Sequence, residues 1–213
     1  MGKLTEDLVI KTIDWAYNKA INGGGGIESA IAMGNEYLKK HHSAESAAKA
    51  LIKTHVAQAG ASGFVTGLGG IMTLPIAIPA NFASVIYVQI RMISAIAHIG
   101  GYDVKDNKVK ALVLACLVGN VAKDVVQEMG IALGTRITQK LIAGYSEKQL
   151  MQVERKISFR IFRKATTQGV AKTSKLVPLV GGVIGGAFDV AATSAIAKIA
   201  KKMFLADEKI VVL

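Results

Sequence analysis

Cysteine is nearly absent: Cys116 is the single one, so no intrachain disulfide can form, and the usage fits a reducing compartment. Charge is sparse too. Asp, Glu, Lys and Arg make up 19% of the chain, against about 25% in soluble domains, and residues 54–90 contain none of them. The four histidines, His41, His42, His55 and His98, come with no His-Glu-x-x-His pattern and no cysteine pair, so no metal site is expected. There is no Gly-x-Ser-x-Gly elbow and no nucleotide-binding loop after a strand. Gly23-Gly24-Gly25-Gly26 lacks the Lys-Ser/Thr of a phosphate loop and reads as a flexible joint. These absences disfavour an enzyme: no catalytic residue and no cofactor is assigned. His41 and His42 read as a solvated helix end, and His55 and His98 as hydrogen-bonded core residues.

Nor does the start of the chain carry a targeting pattern. Met1-Gly2-Lys3-Leu4 lacks an apolar core and cleavage site, and Glu6 stands where N-myristoylation wants Ser or Thr. The expected location is cytoplasmic, peripheral to the inner face of the cell membrane.

What is abundant is apolar surface. Hydrophobic residues are 51% of the chain and glycines number 22, more apolar material than a domain of this size easily hides alone. Its centre is the run from Gly63 to Pro79. Gly63 and Gly67, one turn apart, permit close helix approach. Pro75 and Pro79 predict a helix ending near Leu74, a short extended link, and a new helix from Pro79 onward. A second apolar segment, 176–204, contains Pro178, the pairs Gly181-Gly182 and Gly185-Gly186, and a lone acid, Asp189.

Nothing alternates over enough residues to suggest a sheet. The expected fold is all-α: one compact bundle of about seven helices with Gly/Pro-rich apolar hairpins. Helices are expected over 4–21, 27–40, from a Ser43 N-cap into the uncharged hairpin, and over 81–98, stopped by Gly100-Gly101. Asp103 or Asp106 caps the next, running through Val109, Leu112, Leu117, Val121 and Val125 toward Ala143. A basic helix follows over 147–168. Residues 1–42 form N-terminal helices that join a main domain over 43–213 in one structural unit.

The net charge of +11 is concentrated: residues 146–175 alone carry +6. In the basic helix Leu150, Val153, Ile157 and Ile161 form an apolar stripe, with Arg155, Arg160, Arg163 and Lys164 elsewhere and Phe159 on the basic side. Such a patch suits a polyanion or an anionic membrane. With Phe159 and Phe162 its only aromatics, base stacking is disfavoured. A solvated bundle face is the ordinary alternative.

Asp189 needs a partner in so apolar a segment. Arg91, isolated in the matching first segment, is the candidate, with Gln89 near it in sequence. Asn120, Lys123 and Asp124 make a further polar interruption. Gln89, Arg91, His98 and Asp189 are therefore the ligand or partner candidates; a buried structural ion pair is the plainer reading.

The run Thr66-Gly-Leu-Gly-Gly-Ile-Met-Thr-Leu-Pro75, then Gln89-Ile90-Arg91-Met92 and Gly101-Tyr102-Asp103, with the later Val177-Pro178-Leu179-Val180-Gly181-Gly182, Gly185-Gly186 and Asp189, resembles the EcsC protein family over residues 45–205. The resemblance implies a bacterial, cytoplasmic or membrane-proximal protein associated with a transporter operon. It implies no catalytic residue. The leading expectation is a non-enzymatic, membrane-associated protein that contacts anionic lipid or a membrane-protein partner such as a transporter component. The alternatives are a soluble carrier enclosing a lipid-like ligand and, third, a lipid-acting enzyme.

Overall fold

A computed structural model of the chain describes residues 5–60, 80–119, 122–128, 144–173 and 181–205. They form eight α-helices: α1 Glu6–Asn22, α2 Ala30–Lys40, α3 Ala44–Gly60, α4 Ala80–Ile99, α5 Asn107–Leu117, α6 Ala122–Glu128, α7 Glu147–Thr173 and α8 Gly181–Phe204. The described residues contain no strand beyond an isolated bridge between Gly24 and Ile27. The protein is all-α, as its patterning requires.

Local chemistry sets the helix starts. Thr5 and Ser29 accept hydrogen bonds from the Leu8 and Ala32 amides at 3.3 and 3.1 Å. Ser43 accepts from the Ser46 amide while Ser46 Oγ accepts from the Ser43 amide, a reciprocal cap of the kind that satisfies two orphan donors at once. Asp106 caps α5 through the Lys108 amide at 2.8 Å. α4 begins directly after Pro79, as expected, since proline suits the entry to a helix and not its interior.

Two expectations fail. Gly23–Gly26 is a defined turn and not a flexible joint. All four glycines have positive φ, and Gly24 and Ile27 exchange backbone hydrogen bonds of 3.0 and 3.4 Å. Holding Ile27 there delays α2 until Ala30. The helix expected from Asp106 to Ala143 also ends early. Gly119 takes φ +65°, a left-handed conformation that terminates α5, and α6 starts afresh; this adds the eighth helix.

α4 is the axis of the bundle. It packs against α1, α2, α3, α5 and α8, and Ile90, Met92, Ile93 and Ile96 are fully buried. A helix that is apolar nearly all round must be surrounded, and here protein does the surrounding. Among the described residues no helix is long and apolar enough to cross a membrane. The end of α8 locks onto the corner after α4: a Cβ on Gly100 would lie 2.4 Å from the Phe204 carbonyl oxygen, and Tyr102 meets the Phe204 ring edge-on at 5.1 Å. Cys116 is buried beside Met203, its Sγ 3.6 Å from the thioether, and burial pushes its thiol well up. It is a packing residue. α7 lies across α1 and α5, burying Leu150, Val153, Ile157 and Ile161, the stripe its sequence predicts.

Candidate functional site

Two helices carry the polar groups of interest. On α4, Tyr87, Arg91, Ser94 and His98 recur at i, i+4, i+7 and i+11, within about 60° of arc at 100° per residue. Gln89, about 200° from Tyr87, is buried on the opposite side. The candidates Gln89 and Arg91 therefore do not share a site, despite their closeness in sequence.

Arg91 is one-fifth exposed, and its Nη2 stands 3.7 Å from Glu28. The Asp189 side chain lies outside the described residues. His55 is buried near Arg91; its Nδ1–H donates to the Leu51 carbonyl at 3.0 Å. Burial first, and the Arg91 charge in addition, hold its pKa below the ordinary histidine value, against the upward pull of that hydrogen bond. His98 Nε2–H donates to Asn35 Oδ1 at 2.8 Å. Gly34 makes room for this contact, since a Cβ there would lie 2.9 Å from the imidazole. The Tyr87 hydroxyl, Arg91 Nε and Ser94 Oγ are buried and have no hydrogen-bond partner among the described residues. Three orphaned groups on one helix face are unusual, since most buried polar side-chain atoms are paired. All three can donate, so an acceptor would complete them.

The outer face of α7 is the second feature. Lys148, Met151, Gln152, Arg155, Lys156, Phe159 and Arg163 are exposed and fall within about 140° of arc. Met151 and Phe159 are 59% and 46% exposed, two turns apart with Arg155 between them. Arg160 departs from its expected place: it is half-buried, and its Nη1 is buried without a hydrogen-bond partner among the described residues. Lys164 lies on α7, but its side chain is outside the described residues, as are Gly63 and Gly67. Gly181, Gly182, Gly185 and Gly186 lie within the first turns of α8.

Behind that face, α7, α1 and α5 enclose a half-open groove of about 450 Å³. Ile10, Ile13, Leu114 and Met151 line it with apolar surface, and Asp14, Lys148, Gln152, Glu154, Arg155 and Ser158 supply its polar edge. Lys110 anchors the inner side. It bonds Asp14 at 2.9 Å, approaches Glu154 at 3.6 Å, and sits 5.7 Å from the Tyr17 ring centre. Burial raises the Glu154 pKa, and Lys110 partly opposes the rise.

Tyr87, Ser94 and the Asp14–Lys110–Glu154 cluster are absent from the sequence-derived candidates. Helical spacing from Arg91 marks Tyr87 and Ser94, whereas the cluster joins residues of three helices and has no local signature. Among the described residues, no three His, Cys, Asp or Glu side chains gather as a metal site would need.

No curated protein and no solved structure matches the chain significantly. The model of the EcsC protein family matches residues 13–205, which takes in α1 from Ile13 onward, the other described helices and the cluster around Lys110. The chain belongs to the EcsC protein family.

Proposed function

We propose that this protein is a non-enzymatic, membrane-associated helical protein that docks on anionic lipid through the outer face of α7. One observation carries the reading: Met151 and Phe159, two of the three large apolar side chains exposed among the described residues, stand on the same arc as Lys148, Arg155, Lys156 and Arg163. Apolar side chains entering the headgroup region, flanked by cations, is the arrangement of an interfacial helix. Each basic residue near an anionic surface adds about 1 kcal/mol. Of the two acids of the helix, Glu154 turns inward to Lys110, and Glu147 opens the first turn, about 40° outside that arc.

Flotation of the full chain with vesicles tests it. The protein is expected to float with vesicles containing anionic lipid and to remain behind with purely zwitterionic ones. Phe159→Asp and Arg155→Glu should each weaken flotation without lowering the melting temperature, since both side chains are exposed. A folded protein that floats with neither kind of vesicle overturns the proposal.

A further inference from the structure

We infer that the groove between α1, α5 and α7 takes the acyl chain of a single-chain anionic lipid, its head held by Lys148 and Arg155; this deepens, and rests on, the reading of α7 as a membrane-facing helix. The groove's volume of about 450 Å³ lies within the range of about 300–1,000 Å³ usual for small-molecule sites. Ile10 and Ile13 from α1, Leu114 from α5 and Met151 from α7 give it mainly apolar walls.

The charges at its edge divide into two sets. Asp14 and Glu154 are both engaged by Lys110, at 2.9 and 3.6 Å. Lys148 and Arg155, on the exposed side, form no ion pair among the described residues. One ammonium shared by two carboxylates leaves a single negative charge on the inner side, so with Lys148 and Arg155 the groove's edge keeps a net positive charge, above an apolar floor. That is the layout an anionic amphiphile needs, with its tail enclosed and its head at a cationic rim. Met151 and Arg155 belong to the groove and to the outer face of α7 alike. A lipid held by that face thus already lies at the entrance.

The test titrates the full-length protein with cis-parinaric acid, a fluorescent fatty acid, below its aggregation threshold, and in parallel with the uncharged parinaryl alcohol. Expected is a saturable fluorescence rise at one probe per chain, displaced by an anionic lysophospholipid and not by inorganic phosphate. The alcohol should bind about tenfold more weakly, the worth of one charge-assisted contact. Ile10→Trp, which fills the groove from α1, should weaken the acid about tenfold or more. Gln152→Trp does so from α7, in case the first variant folds poorly. Lys148→Ala with Arg155→Ala should erase the preference for acid over alcohol.

Absence of saturable binding overturns the inference. So does wild-type affinity in both tryptophan variants at unchanged melting temperature, and so does displacement by phosphate alone. Flotation of the same samples separates the two readings. Vesicle binding without parinarate binding removes the groove and keeps the α7 face; parinarate binding without flotation keeps the groove and removes the membrane.

Discussion

α4 and α7 depart from the usual inside–outside rule in opposite directions. α4 is enclosed by five helices yet buries a tyrosine hydroxyl, a serine hydroxyl and an arginine Nε with no hydrogen-bond partner among the described residues. α7 is half open to solvent yet displays Met151 and Phe159 among cations. Buried orphans and exposed apolar groups both cost free energy that an ordinary scaffold avoids. The difference lies in what each can be completed by: α4 needs hydrogen-bond acceptors, α7 an apolar phase bearing negative charge. The apolar surplus of the composition is thus of two kinds. Among the described residues much of it is ordinary core around α4, and of the three large apolar side chains that face outward two, Met151 and Phe159, are on α7 and one, Val85, is near the start of α4.

The comparison breaks most easily by truncation. Ile93→Ala, at a fully buried α4 position, should destabilise by about 2–5 kcal/mol. Met151→Ala on α7 should change stability by no more than about 0.5 kcal/mol, as exposed substitutions do. Urea unfolding of the two variants measures both. Similar losses would show that α7's outer face is buried in the folded state.

Gly100→Ala should come next. Its Cβ would fall 2.4 Å from a backbone carbonyl of Phe204, a contact that no rotamer change relieves. The end of α8 must back away from α4, at about 1–3 kcal/mol by the usual cost of overpacking. A melting temperature equal to wild type would mean that α8 docks more loosely than this contact requires.

These positions also mark how far sequence carries. The cap at Ser43, the entry after Pro79, the stop at Gly100-Gly101 and the α7 stripe were legible because each depends on neighbours within one or two turns. The break at Gly119 was hidden, since the apolar spacing of Leu117, Val121 and Val125 continues across it. Gly23–Gly26 misled for a related reason: permissive residues read as loose, while a bridge to Ile27 fixes them. Long-range pairing was the least legible. Arg91 meets Glu28, and Lys110 reaches Asp14 across 96 residues; neither choice has a local cause. Tyr87 and Ser94 passed as ordinary members of an apolar helix until their orphaned oxygens set them apart.

A smaller effect sharpens the α4 half. If the Tyr87 and Ser94 hydroxyls are truly without partners, Tyr87→Phe and Ser94→Ala remove a desolvation cost and should be neutral or stabilising by up to about 1–3 kcal/mol each. Chemical denaturation decides the sign. A loss of similar size would instead reveal that an acceptor satisfies them in solution.

Acidification should act on the two regions with opposite sign, and this is the smallest effect. His55, packed near Arg91 of α4, has its pKa lowered from 6.5, chiefly by burial. Between that value and its lowered folded pKa the unfolded chain binds more protons, so stability falls as pH drops through the window. Glu154 on α7 has its pKa raised from 4.5, again chiefly by burial. Above 4.5 and up to its raised value the folded state binds more protons, so falling pH relieves a penalty and stability rises. His55→Gln should therefore flatten the loss of melting temperature on going from pH 7 to pH 4.5, leaving the contribution of His98, which burial also lowers. Glu154→Gln should steepen that loss by removing the opposing gain, measured as the slope within each variant so that any constant cost of disturbing Lys110 drops out. Parallel slopes in wild type and both variants would show that neither group changes its proton affinity on folding, and that burial around α4 and α7 is shallower than their packing implies.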